Sequence, residues 1–186
     1  MKLEGIFPPI ATPFDHEGNL YKAKLKYNIE KWNQTSLAGY VVCGSTGESV
    51  YLTTDEKVQL WEWVAEFAAS DKLLIAGTGM ESVRETVDLT NRAAAIGYKA
   101  AMVRTPHYYK NLLNNPAAQV LYYRAVADQA QVPLMIYNWP QATGLDIAPE
   151  AVAELSHHPN IIAVKESSGN LEKVMRMIRE VKPGFR

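Results

Sequence analysis

The sequence predicts an α/β protein built on a parallel β-sheet, because short apolar segments alternate with longer segments of helical periodicity. One apolar segment opens the chain, and the five others begin roughly 30 residues apart, which is the length of one βαβ unit. The six predicted strands are Gly5–Ile10, Gly39–Cys43, Lys72–Ala76, Ala100–Arg104, Val132–Tyr137 and Ile161–Val164.

The segments between these strands carry helix start signals. Thr53 and Glu56 have the spacing of a capping box, in which each side chain binds the other residue's free backbone N–H. Asn115 stands directly before Pro116, as expected for an N-cap followed by the first helical residue. The last helical segment carries four apolar residues on one face, Leu171, Val174, Ile178 and Val181.

Two architectures fit this alternation, a doubly wound open sheet and a (β/α)₈ barrel. An open sheet that binds a dinucleotide would show a glycine-rich turn after its first strand. The nearest match, Gly77-Thr78-Gly79, follows the third predicted strand and has Ser82 where the last glycine should stand. We therefore expect a TIM barrel, although six strands are fewer than the eight strands and roughly 250 residues of a complete one. The expected organisation is a single domain over residues 1–186 that lacks the last two strands and the C-terminal helices.

Composition excludes several classes of protein. A net charge of -1 argues against nucleic-acid binding, and no apolar run has the length of a membrane-spanning helix. The opening Met1–Phe14 shows no secretory signal, and the single Cys43 cannot form an internal disulfide or a cysteine metal cluster. His16 and His107 have no second ligand at a metal-binding spacing. We expect a soluble cytoplasmic protein that binds neither membrane, nucleic acid nor metal.

Polar residues at the carboxyl ends of the predicted strands are the candidates for chemistry, because barrel enzymes place their working groups there. Lys165 continues the sixth strand on the face of Ile161 and Ala163. In a barrel lumen, desolvation would lower the pKa of this amine and make it a nucleophile for a carbonyl substrate. A lysine at the solvated mouth of a strand is the simpler alternative. Tyr137 ends the preceding strand and is either a general acid/base or a packed tyrosine with a satisfied hydroxyl.

A second candidate element is the turn after the strand that ends at Cys43. Gly44-Ser45-Thr46-Gly47 offers two hydroxyls and open backbone N–H groups, which suit a carboxylate. The same residues also suit an ordinary turn between a strand and a helix, so the two interpretations stay open.

Four motifs, taken in order, resemble the dihydrodipicolinate synthase/N-acetylneuraminate lyase family. They are Gly44–Glu48, Thr105–Tyr109, Tyr137–Pro140 with Thr143-Gly144, and Val164–Gly169. The resemblance implies a (β/α)₈ barrel and class I aldolase chemistry on pyruvate or a related 2-oxo acid, with an aldehyde as second substrate. It implies that Lys165 forms the imine and that Tyr137 moves protons. The iminium is the electron sink, so no metal or coenzyme is implied.

The resemblance also implies roles for residues of the other motifs. Ser45 and Thr46 would bind the pyruvate carboxylate, with Gly47 and Ser167 also lining the substrate site, and Thr46 would hydrogen-bond to the catalytic tyrosine. Tyr108 would be delivered across a dimer interface to complete the proton relay. A homo-oligomer, dimer or tetramer, is therefore expected for the full-length protein.

One departure from the family pattern bears on the substrate. Members that condense pyruvate with aspartate semialdehyde usually carry an arginine where this chain has Ala142, and a methyl group cannot clamp a carboxylate. The stretch Ala142–Asp146, with Tyr108–Lys110, resembles the 4-hydroxy-2-oxoglutarate aldolase branch instead. We expect that activity, with 4-hydroxy-tetrahydrodipicolinate synthase as the alternative. Lys110 could replace the missing clamp.

The early end of the chain suggests a hypothesis of another class. If the last two strands are missing, the first and sixth predicted strands would have unpaired edges, and helix faces would expose apolar surface. The chain would then be a non-catalytic remnant that serves as an oligomerisation or binding module. A nucleotide-binding open-sheet regulator is disfavoured because the glycine fingerprint fails.

Overall fold

The structure is a computed structural model that describes residues 3–186, and it confirms the α/β class. Its five strands are β1 (Gly39–Val42), β2 (Leu73–Gly77), β3 (Ala100–Arg104), β4 (Leu134–Asn138) and β5 (Ile161–Glu166). Its eight α-helices within the described residues are α1 (Lys22–Asn33), α2 (Thr54–Phe67), α3 (Val83–Ile96), α4 (Lys110–Leu113), α5 (Pro116–Ala127), α6 (Pro140–Thr143), α7 (Pro149–Ser156) and α8 (Leu171–Glu180). A 3₁₀ turn, Ser49–Tyr51, precedes α2.

The chain divides into two compact units, and the predicted single-domain organisation stays a prediction. The first unit holds the described residues up to Gly77 together with Arg92–Ala101, and the second holds Thr78–Asn91 and Met102–Arg186. Strand order is β1-β2-β3 in the first unit, which contains the start of β3, and β3-β4-β5 in the second. No helix of the described residues is long and apolar enough to cross a membrane.

In the first unit, β1 and β2 pair in parallel from Gly39 opposite Leu73 to Val42 opposite Ala76. Gly39 is required at this crossing, because a Cβ atom there would lie 1.9 Å from the Leu73 carbonyl oxygen. The predicted capping box at the start of α2 is present: the Thr53 hydroxyl accepts from the Glu56 N–H, and the Glu56 carboxylate accepts from the Thr53 N–H.

The prediction of a strand over Gly5–Ile10 is wrong. This segment runs beside β1 and forms an isolated parallel bridge between Pro9 and Val41. The Ile10 N–H donates to the Val41 carbonyl over 3.0 Å, and the Val41 N–H donates to the Pro8 carbonyl over 3.0 Å. Pro8 and Pro9 have no N–H to donate, so a continuous ladder cannot form along the segment.

In the second unit, β4 and β5 pair in parallel, and their register shifts by one residue near the start. Leu134 lies opposite Ile161, but Met135 lies opposite Ala163, and from there the pairing continues to Asn138 opposite Glu166. Because side chains alternate between the two faces of a strand, a shift of one residue changes which side chains share a face.

The far side of β5 also has a backbone partner. Its Val164 N–H donates to the Arg186 carbonyl over 2.8 Å, and the Arg186 N–H donates to the Ile162 carbonyl over 3.0 Å. The expectation of a fully unpaired edge on the sixth predicted strand is therefore wrong at these residues.

Helix α8 packs differently from the pattern of its apolar residues. Lys173 and Met177 are its buried side chains, whereas Leu171 and Ile178 are 73% and 68% exposed. The N-cap Asn170 accepts from the Lys173 N–H over 3.0 Å, which fixes the start of the helix.

Candidate active site

Lys165 and Tyr137 lie side by side at the carboxyl ends of β5 and β4. They are register partners, and the Lys165 Nζ lies 4.1 Å from the centroid of the Tyr137 ring. Tyr137 is buried and Lys165 is half-buried. An ammonium or amine over a ring face at this distance makes a favourable cation–π contact when it is charged. The structure thus brings together the two residues from which the sequence predicted imine chemistry.

The alternation of β5 explains which way Lys165 points. Ala163, two residues earlier and on the same face, is buried. Val164 and Glu166, on the other face, line a groove with residues of α8. Lys165 therefore projects from the face of the sheet opposite α8.

Trp139 forms an aromatic wall beside Tyr137. The two rings are stacked, with planes 17° apart and centroids separated by 6.3 Å. The short helix α6 follows, and the Thr143 hydroxyl lies within hydrogen-bonding distance of the Trp139 and Leu145 carbonyls, at 3.1 and 2.9 Å. This loop also brings Lys110 close: a Cβ atom on Gly144 would lie 2.7 Å from the Lys110 Nζ.

Ser167 follows β5 directly and is held by the neighbouring strand. Its backbone N–H donates to the carbonyl of Asn138 over 2.9 Å, and its side chain is half-buried. Ser167 is therefore two residues beyond Lys165 on a segment whose backbone is tied to the end of β4.

Tyr108 stands on an exposed loop that is anchored at its backbone. Its side chain is 76% exposed and packs edge-on against Tyr109, with ring centroids 5.0 Å apart. The Glu81 carboxylate accepts from the N–H groups of His107 and Tyr108, both over 3.0 Å, and forms a 3.1 Å ion pair with Arg104. Burial alone would raise the pKa of Glu81, but these donors together lower it below its usual value, so the anchor is a carboxylate at neutral pH.

The predicted carboxylate cradle lies in the first unit, in the tight turn after β1. Gly47 N–H donates to the Gly44 carbonyl over 3.0 Å, and the Thr12 hydroxyl donates to the Gly47 carbonyl over 2.6 Å. Ser45 is half-buried, Thr46 is exposed and Gly47 is buried. The turn forms as expected, and its convergence with Lys165 and Tyr137 stays a prediction.

Strained backbone frames this turn on both sides. Cys43 and Glu48 are the non-glycine residues with positive φ among those described, at 57° and 56°. Gly77 is required beside them, because a Cβ atom there would lie 2.1 Å from the Cys43 carbonyl oxygen. The glycine that resembled part of a phosphate turn thus serves close backbone packing. Burial raises the pKa of the Cys43 thiol to about 12, so the thiol stays protonated and unreactive at neutral pH.

Sequence reasoning missed a buried polar cluster behind the reactive pair, on the other face of the sheet. We call Asn138, Asp146, Glu166 and Lys173 the Lys173 cluster. The Asn138 amide donates to Asp146 over 2.8 Å and to both Glu166 oxygens over 2.8 and 3.0 Å. Lys173 pairs with Glu166 at 3.3 Å and also contacts Asp146. Within residues 3–186, no group of three or more His, Cys, Asp or Glu side chains is arranged to hold a metal ion.

Comparison with known proteins identifies the family. Residues 2–186 match the model of the dihydrodipicolinate synthetase family. A 4-hydroxy-tetrahydrodipicolinate synthase of Methanothrix thermoacetophila is 40% identical over 94% of this chain and 57% of its own length. A second enzyme of that name, from Exiguobacterium, is 37% identical over 97% of this chain and 61% of its own length.

Solved structures show the same fold. The dihydrodipicolinate synthase of Bacillus anthracis superimposes with a TM-score of 0.93 at 30% identity, over all of this chain and 62% of its own. The chloride-inhibited dihydrodipicolinate synthase of Acinetobacter baumannii, complexed with pyruvate, gives a TM-score of 0.88 at 28% identity, over 97% of this chain and 62% of its own. This chain thus spans about three fifths of the length of these relatives. The match over nearly the entire sequence shows that the chain belongs to the dihydrodipicolinate synthetase family.

Proposed function

We propose that this chain carries the imine-forming site of a class I aldolase, a carbon–carbon lyase that acts on pyruvate. The observation that carries the proposal is the Lys165 Nζ at 4.1 Å from the centre of the Tyr137 ring, an amine and a phenol side by side at the ends of adjacent strands. The pyruvate bound to the Acinetobacter baumannii relative supports the choice of substrate.

The proposed chemistry follows from the amine. The Lys165 nitrogen attacks C2 of pyruvate, the oxygen leaves as water, and an iminium forms. The positive nitrogen then accepts the electron pair released when C3 loses a proton, and the resulting enamine attacks the aldehyde carbon. Water finally cleaves the iminium and frees Lys165, so that no cofactor is consumed. Tyr137 carries protons to and from the departing and arriving oxygens.

The remaining candidate residues bind substrate in this proposal. Ser45, Thr46 and the backbone at Gly47 hold the pyruvate carboxylate, as a turn rich in N–H and hydroxyl donors can do. Ser167 contributes from the segment after Lys165. Tyr108 joins the proton relay of a neighbouring subunit in a homodimer or homotetramer, and its exposed ring on a backbone anchored by Glu81 supports this role.

Two reactions are candidates for this site, and they differ in the substrate used besides pyruvate. The names of the curated relatives support condensation with aspartate semialdehyde, the 4-hydroxy-tetrahydrodipicolinate synthase reaction, and we adopt it as the main proposal. Ala142, which is exposed and has no charged group, favours the 4-hydroxy-2-oxoglutarate aldolase reaction as the second candidate. Aspartate semialdehyde carries a carboxylate, and Lys110 is a cation close to this loop, since a Cβ atom on Gly144 would lie 2.7 Å from its Nζ.

The imine is tested by borohydride reduction in the presence of pyruvate. We expect the native chain to gain one reduced pyruvate adduct, located on Lys165 by peptide mass spectrometry. Lys165→Ala should abolish the adduct, because it removes the amine that lies beside the Tyr137 ring. Lys99→Ala is the matched control, since Lys99 is an exposed lysine just before β3, and it should be modified as the native chain is. An unmodified native chain contradicts the proposal and supports the non-catalytic binding module.

Tyr137→Phe separates proton transfer from binding. The substitution keeps the ring beside Lys165 and removes the hydroxyl, so pyruvate binding should change little. Turnover should fall by about 10²-fold, the usual contribution of a positioned general acid/base. Steady-state kinetics with a Kd measurement for pyruvate provides the comparison, and equal turnover in the two proteins removes Tyr137 from the mechanism.

Lys110→Met tests the proposed aldehyde site. The variant loses a charge-assisted contact with the carboxylate of the aldehyde. We expect the KM for the aldehyde to rise by about tenfold and pyruvate binding to stay unchanged. The variant is assayed with aspartate semialdehyde and with 4-hydroxy-2-oxoglutarate. If the native chain prefers 4-hydroxy-2-oxoglutarate, the main proposal is rejected in favour of the second candidate. If the KM of Lys110→Met is unchanged for both substrates, the role of Lys110 is rejected.

A further inference from the structure

The Lys173 cluster lies directly behind the reactive pair. Asn138 follows Tyr137 in β4, and Glu166 follows Lys165 in β5, so alternation points these two side chains to the opposite face of the sheet. Asn138 and Glu166 are register partners, as Tyr137 and Lys165 are. A bond between the first two side chains therefore constrains the strand ends that carry the second two.

Nearly all hydrogen-bonding groups of Asn138 and Glu166 in this cluster have partners. Both N–H groups of the fully buried Asn138 amide face carboxylates, while its carbonyl oxygen accepts from the Ile147 N–H over 3.1 Å. Glu166 accepts in addition from the Ser168 N–H over 2.7 Å. Satisfied buried polar groups of this kind define one arrangement, because any displacement leaves a partner unpaired in a low-dielectric environment.

Lys173 supplies the positive charge that this arrangement needs. Its side chain is 6% exposed and that of Glu166 is 8% exposed, whereas Asp146 is half-exposed. Without Lys173, two carboxylates would face a single amide with no cation between them, and removal of one partner from a buried ion pair leaves an uncompensated charge. Repulsion between Asp146 and Glu166 would then strain the Asn138 amide that both carboxylates share, and with it the ends of β4 and β5.

We propose that Lys173 is a positioning residue for the imine chemistry: from α8 it locks the ends of β4 and β5 in the register that holds the Lys165 amine against the Tyr137 ring. The proposal rests on the proposed function of Lys165 and Tyr137. It assigns Lys173 no contact with substrate. The lysine at the first turn of α8 thus acts on the reaction through the sheet, from its opposite face.

The test compares Lys173→Met with Lys173→Arg and with Arg176→Met. Arginine can bridge Asp146 and Glu166 and should restore native behaviour. Arg176 lies one turn further along α8 and is also paired, with Glu150 and Glu180, but it is half-exposed, so Arg176→Met is the matched control. Asp146→Asn is a milder variant that weakens the cluster at its exposed member in case Lys173→Met does not fold, which circular dichroism reports.

The first readout needs no activity. Each protein is labelled with trace acetic anhydride, and the rate at Lys165 is compared with that at the exposed Lys99. In Lys173→Met, the labelling rate of Lys165 relative to Lys99 should change by about threefold or more, toward the rate of an exposed lysine. A change of this size is expected because neighbouring residues in one network are energetically coupled. Lys173→Arg and Arg176→Met should match the native chain, and Asp146→Asn should fall between. Equal relative rates in the native chain and in folded Lys173→Met contradict the proposal, as does a native Lys165 that is labelled like Lys99.

The second readout is the rate of imine formation at saturating pyruvate. Lys173→Met should slow imine formation by about tenfold with little change in the Kd for pyruvate. The displaced amine leaves pyruvate binding unchanged, but its nitrogen reaches C2 of pyruvate less often. A native chain without an adduct contradicts the proposed function alone, since the labelling comparison still decides the role of Lys173. An unchanged rate in folded Lys173→Met contradicts the positioning role alone.

Discussion

The one-residue shift between β4 and β5 is the constraint on which the reactive pair depends. If the pairing of Leu134 with Ile161 continued without the shift, Tyr137 would lie opposite Val164, and Lys165 would point to the other face. The shift places Ala163 opposite Met135 and thereby puts an amine and a phenol on the same face, next to each other. Everything proposed for the chemistry of this chain requires that register.

Both ends of the β4–β5 pair have side chains that secure the register. At the start, the Asn160 side-chain amide donates to the Ala127 and Ala130 carbonyls, both over 3.0 Å. The backbone carbonyl of Asn160 accepts from the Leu134 N–H over 2.8 Å. At the end, the Lys173 cluster joins the two strands through charged groups that are largely buried. The face that carries the chemistry is therefore supported from the opposite face of the sheet.

The sequence predicted much of this arrangement because it follows from simple periodicities. Alternation along β5 correctly put Lys165 on the face of Ala163, and the spacing of one βα unit placed Tyr137 on the adjacent strand. The register shift breaks the alternation before Ala163, so the prediction that Ile161 shares this face is wrong. The register shift and the inward turn of Lys173 were not predictable, since both result from tertiary packing. The same limit explains α8, whose apolar stripe indicated a buried face that the structure leaves largely exposed at Leu171 and Ile178. The failure of Gly5–Ile10 to form a strand, by contrast, was predictable from the sequence, because Pro8 and Pro9 have no N–H to donate to a neighbouring strand.

A crystal structure of the protein, soaked with pyruvate and reduced in the crystal, would show directly whether Lys165 forms the imine beside Tyr137. We predict continuous electron density from the Lys165 Nζ to C2 of the former pyruvate, with the Tyr137 ring beside the new bond and the register of β4 and β5 unchanged. An unmodified Lys165, or a Lys165 side chain turned away from Tyr137 with pyruvate bound elsewhere, would contradict it.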